Sequence, residues 1–151
     1  MEAVGVPHTE IDLILANGIS AKFDCCLQED FVSVYPVVKS LDISALLKLR
    51  AKPLRKTRFI LDVHLGKLAG KLRMLGFDTL YRNNYSDPEI VYISLKDRRI
   101  ILTRDRGILM IKSVRHGYWI RSGRIDEQVA EVMNCFNLFS QIRAFHRCMN
   151  L

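Results

Sequence analysis

Three aspartates carry the chemistry that this sequence could perform. Asp62 closes the apolar run FIL, Asp87 opens the segment DPEIVYISLKD, and Asp105 follows IILTR, with spacings of 25 and 18 residues. Carboxylates brought close together repel, and without a partner one of them is driven toward protonation. A divalent, oxygen-seeking cation resolves that conflict. Mg²⁺ or Mn²⁺ suits an all-carboxylate site that keeps several waters. Such an ion can activate water and stabilise charge developing on a phosphodiester.

Whether the three acids meet depends on the elements that carry them. From Phe59 onward, short apolar runs alternate with helical patterns. FILDV, FDTLY, RIILT and YWIR read as strands. Between them, LGKLAGKLRML puts Leu65, Leu68, Ala69, Leu72 and Leu75 on one helical face, with Gly76 as the stop. DPEIVYISLKD opens with Asp87 as N-cap and Pro88 at the first helical position. RGILMIKSVRHG reads as a helix ending at Gly117, and IDEQVAEVMNCFNLF as the last helix, with Val129, Val132, Met133 and Phe136 inward. Strands alternating with helices imply a parallel sheet covered on both faces.

In such a sheet ligands collect at the carboxyl ends of the strands. Asp62 ends the first strand. A helix over 65–75 descends roughly 16 Å, and the strand over 78–81 climbs back roughly 13 Å. Asp87 therefore starts from the original edge. The next helix and strand repeat the excursion and bring Asp105 to the same edge. Asp78 and Asp97 belong at the opposite edge.

Each acid also has a plainer reading. Asp87 and Asp105 could simply cap the helices they precede. Asp62 is harder to explain that way, because an acid at a buried strand end needs a partner. Glu89, in the first helical turn, is a further candidate ligand or a dipole-favoured surface acid. Asp126 reads as the cap of the last helix. Lys67, Arg104 and Arg106 are the cations that could contact RNA phosphates, and the two arginines could instead neutralise the acids. Lys71, four residues after Lys67, reads as an ordinary surface lysine. His64 reads as a packing or capping residue, and Tyr118 and Trp119 as core residues of the last strand.

The chain has 151 residues, 49% of them apolar, and a net charge of +7. Residues 1–40 carry −4, residues 41–58 carry +5 and residues 59–151 carry +6. The basic part favours a polyanionic partner. No long uncharged apolar run suggests a membrane span, and the first residues lack a signal-peptide pattern. Cys25, Cys26, Cys135 and Cys148 have no metal-knuckle spacing, which fits a reducing, cytoplasmic setting. In residues 10–38, Asn17-Gly18 between two apolar runs signals a hairpin, and FVSVYPVV a third strand. Residues 41–58 read as a basic linker with a short helical turn around Ile43–Leu49.

The segments FILDVHLGKLAGKLRMLGFDTLYRNNYSDPEI and RIILTRDRGIL resemble the PIN-fold ribonucleases of the Mut-seven C-terminal RNase-domain family. That resemblance spans about Phe59 to Leu138. It implies a metal-dependent endoribonuclease whose first, second and third acids fall on Asp62, Asp87 and Asp105. AVGVPHTEIDLILANG resembles the later half of the ubiquitin-like, β-grasp segment that often precedes this domain. The family commonly continues into a zinc ribbon opening with C-x-x-C. Here RCMNL supplies Cys148 alone, and one thiolate cannot hold structural zinc. The sequence thus leads to an α/β, PIN-like sheet over 59–151, a linker over 41–58 and a partial β-grasp segment over 1–40.

The leading expectation is an RNA-cleaving enzyme that uses Mg²⁺ or Mn²⁺. The alternative is a catalytically inactive RNA-binding module. A phosphoacceptor signalling domain ranks below both, because the extra acids and late-strand lysine it needs are not seen. The incomplete β-grasp segment exposes strand edges, which favours a homo-oligomer or a protein partner.

Overall fold

The computed structural model of the chain describes residues 8–22, 31–36 and 57–146. These make two compact units, residues 10–36 forming one and residues 57–146, with His8 and Thr9, the other. The basic stretch over 41–56 and the helical turn expected around Ile43–Leu49 lie outside the described residues.

In the first unit, β1 (Ile11–Ala16), β2 (Ile19–Ala21) and β3 (Val32–Pro36) form an antiparallel sheet in the order β2-β1-β3. The expected hairpin is present. Asn17 and Gly18 both have positive φ, 49° and 81°, as a two-residue turn matched to strand twist requires. Asn17 also fastens β3, since its Oδ1 accepts the Phe31 N–H at 2.9 Å.

The second unit is a four-stranded parallel sheet in the order β5-β4-β6-β7. Its strands are β4 (Arg58–Leu61), β5 (Asp78–Leu80), β6 (Ile100–Thr103) and β7 (Gly117–Trp119). The helices are α1 (Gly66–Met74), α2 (Asp87–Asp97), α3 (Arg106–Met110) and α4 (Ile125–Cys135). Alternation along the strands builds two cores. Phe59 and Leu61 of β4, with Ile100 and Leu102 of β6, meet α1 and α4 on one face. Ile60 and Ile101 meet α2 and α3 on the other. Phe59 is fully buried and packs edge-on against Phe77 and Phe136, with centroids 6.3 and 5.7 Å away. The expected α/β architecture, a parallel sheet flanked by helices with a small N-terminal β segment, is therefore observed. No helix among the described residues is long and apolar enough to cross a membrane.

Several elements differ in detail from the pattern-based reading. A 3-10 turn over Val63–Leu65 precedes α1, so the helix proper starts at Gly66. Its end follows expectation: Gly76 has φ 94°, and the N–H groups of Gly76 and Phe77 close onto the Arg73 and Leu72 carbonyls. The helix expected to run to Gly117 stops at Met110, because Ile111 is extended. Five helical residues descend only about 7.5 Å, enough to feed a three-residue strand. Gly117 is instead the buried first residue of β7, where a Cβ would collide with the Leu109 side chain. Asp126 does not cap α4; Arg124 holds that position and Asp126 lies in the first turn. Asp78 and Asp97 do sit at the amino edge, bound by Arg99 at 2.8 and 3.7 Å.

Candidate active site

β4 lies between β5 and β6, so the chain reverses its winding direction between β4 and β6. Such a switch point opens a crevice at the carboxyl ends of the two strands. Asp62 and Asp105 stand there. The Asp62 N–H donates to the Leu102 carbonyl at 3.1 Å, which extends the β4 ladder by one residue. The Asp62 side chain is held at the strand tip, and the residue is only 4% exposed.

Thr103, the last residue of β6 and fully buried, joins the two acids. Its hydroxyl donates to Asp62 Oδ2 at 3.0 Å and accepts the Asp105 N–H at 2.8 Å. Asp105 is exposed, and its Oδ1 accepts the Gly107 N–H at 2.7 Å. The capping reading of Asp105 therefore holds, and it occupies one oxygen of an exposed carboxylate. Asp87 is exposed as the first residue of α2. It is not the cap, because Ser86 takes that position. Ser86 donates its N–H and its hydroxyl to Glu89 Oε2 at 2.8 and 2.7 Å. Those bonds hold the Glu89 carboxyl below its ordinary range and give this candidate ligand a structural task. Asp87 has no such task.

A divalent cation can be tested against these donors. Asp62 is a buried carboxylate that, among the described residues, receives one neutral hydrogen bond, and no ion pair involves Asp62, Asp87 or Asp105. A buried charge with so little compensation calls for a cation. All three acids offer hard oxygen donors, the kind that Mg²⁺ and Mn²⁺ prefer. The donors fit in kind. They do not make a preassembled cage: among the described residues no three His, Cys, Asp or Glu side chains come together as a metal-holding group.

The cations sit around this edge in different ways. Lys67 is exposed in the first turn of α1, Lys71 is exposed one turn further on, and His64 is exposed in the 3-10 turn after Asp62. Arg104 is exposed. The Arg106 guanidinium lies 4.9 Å from the centroid of the Trp119 ring. Trp119 is half-buried, with its Nε1–H donating to the Arg104 carbonyl at 3.2 Å. Tyr118 fits the core expectation better. Its ring packs on Phe136, its hydroxyl donates to Glu131 at 3.1 Å, and burial pushes its phenol upward in pKa.

Sequence reasoning missed Thr103 as the joint between two acids. A signal existed, because it is the one polar residue in the run IILT, and a hydroxyl buried at a strand end needs partners. Tyr81 was also missed. Its hydroxyl donates to the Val63 carbonyl at 2.9 Å and braces the turn that follows Asp62.

A family model for the Mut7-C RNAse domain matches residues 57–151, and a model for the Mut7-C ubiquitin domain matches residues 1–42. The chain belongs to the Mut7-C RNase family. The RNase match spans both acids at the switch point, Asp87 and the whole parallel sheet, while the antiparallel N-terminal sheet falls in the ubiquitin match. Membership makes the parallel-sheet unit a nuclease-type domain and RNA its implied partner. No curated protein and no solved structure matches the chain.

Proposed function

We propose that this Mut7-C chain is a metal-dependent endoribonuclease, with Asp62, Asp87 and Asp105 as the ligands of Mg²⁺ or Mn²⁺. The observation that carries this reading is the buried Asp62 carboxylate at the switch point, joined through Thr103 to Asp105 and, among the described residues, paired with no cationic side chain. Bound there, the ion would supply a water of lowered pKa and neutralise charge on the phosphodiester. The chain's own residues do the rest. Thr103 fixes Asp62 and the Asp105 backbone in one arrangement. Ser86 and Glu89 cap α2 and leave Asp87 to the edge. Lys67, Arg104 and Arg106 bind phosphates, aided by the basic stretch over 41–58, which links the 1–40 ubiquitin-like segment to the 59–151 RNase domain. Among the described residues β2 and β3 are the outer strands of the N-terminal sheet, and a protein partner or second copy would add to such an edge. The cysteine usage and the implied substrate favour action in the cytoplasm.

The test is incubation of mixed RNAs with native protein and with Asp105→Asn, each with and without Mn²⁺. Internal cleavage by native protein only with metal, and none by the variant, is the expected result. RNA binding without cleavage would favour the inactive binding module, and cleavage indifferent to metal and mutation would refute the mechanism.

A further inference from the structure

Trp119 and Arg121 have no part in the metal chemistry, yet they stand at the same rim. Trp119 is the last residue of β7 and pairs in register with Thr103, the residue that joins the acids. Neighbouring strands lie about 4.8 Å apart, so the indole leaves the sheet one strand over from β6, which leads to Asp105, and two strands over from β4, which leads to Asp62. Its Nε1–H bond to the Arg104 carbonyl pins it against the turn that carries Asp105. Two guanidinium groups lie against this ring, Arg106 at 4.9 Å and Arg121 at 5.0 Å from its centroid. They are therefore within about 10 Å of each other. Arg121 is further set by a bond to the Trp119 carbonyl at 3.2 Å and by Glu131 at 3.7 Å.

An arginine stacked on an aromatic face loses little further freedom on binding, and its planar fork matches phosphate. A ring occupied by guanidinium groups is a poor platform for a base. We infer that Trp119 is a positioning residue that holds Arg106 and Arg121 as a paired phosphate clamp, gripping the backbone of the RNA strand beside the scissile bond. The inference rests on the nuclease reading for its substrate class. Arg121 extends the set of phosphate-binding residues beyond Lys67, Arg104 and Arg106.

Counterion release provides a readout that a merely structural role would not move. Each phosphate contact to a single strand contributes about 0.7 to the slope of log K against log salt concentration. The probe is a single-stranded RNA oligonucleotide bound by the full chain in EDTA, so that cleavage does not interfere. Arg106→Ala and Arg121→Ala should each weaken binding several-fold at moderate salt and flatten the slope by about 0.7. Arg121→Lys should keep the slope but bind more weakly, since the stack and fork are lost. Trp119→Leu should weaken binding while keeping the slope, because both charges remain. Slopes unchanged in both alanine variants would overturn the clamp, whatever the cleavage assay gives. Flattened slopes with a native protein that never cleaves RNA would support the clamp and remove the nuclease reading.

Discussion

Asp62 and Thr103 show how much depends on single atoms at the strand ends. The carboxylate is buried and receives only the Thr103 hydroxyl among the described residues, so the metal-free fold carries an almost uncompensated charge there. Asn at position 62 keeps an acceptor for that hydroxyl and removes the charge. Asp62→Asn should therefore leave stability within about 1 kcal/mol of native, or raise it, in metal-free buffer. Thr103→Val should cost about 1–3 kcal/mol, because it strips a partner from Asp62 and from the Asp105 N–H together. Urea unfolding midpoints of the two variants check this. A loss of 3 kcal/mol or more from Asp62→Asn would mean that the fold itself neutralises the carboxylate. The sequence already marked Asp62 as an acid needing a partner, but the partner is a threonine 41 residues away, visible only once β4 and β6 are side by side.

At the scale of elements, the legible features were those written in local chemistry. The leucine stripe of α1, its glycine stop and the Asn17-Gly18 hairpin all depend on residues within a turn of one another. The end of α3 was not legible, because it is set by the short climb of β7 and by the packing of Gly117 against Leu109. The cap of α2 lay one residue earlier than the aspartate that the pattern favoured, since Ser86 and Glu89 satisfy each other and release Asp87. The α1 terminus also anchors the descending chain: the N–H groups of Arg143 and Phe145 donate to the Leu75 and Met74 carbonyls, each at 2.9 Å. Gly76 makes this possible, because it has positive φ and a Cβ there would run into the Arg143 carbonyl oxygen. Gly76→Ala should destabilise the RNase unit by about 1–3 kcal/mol, read as a melting temperature lower by several degrees. An unchanged melting temperature would show that the 143–145 segment can give way without cost.

Across the whole molecule, the order β5-β4-β6-β7 puts a switch point between β4 and β6, where Thr103 joins Asp62 to Asp105. Separate helical excursions return to the carboxyl ends of the strands, and Lys67, Lys71 and Arg104 are exposed on the same unit. The alternating pattern made the parallel sheet flanked by helices readable, but not its strand order. Nor did it supply the state of assembly: among the described residues no three acids come together as a metal-holding group. The central claim is that a divalent cation draws Asp62, Asp87 and Asp105 together. Its most direct test is equilibrium binding of Mn²⁺ to native protein and to Asp62→Asn, Asp87→Asn and Asp105→Asn, followed by the spin-resonance signal of the free ion. The account predicts saturable binding by the native chain, weakened at least about tenfold (about 1.4 kcal/mol) by each substitution. Binding that all three variants retain at native strength, or no binding by the native chain, would contradict it.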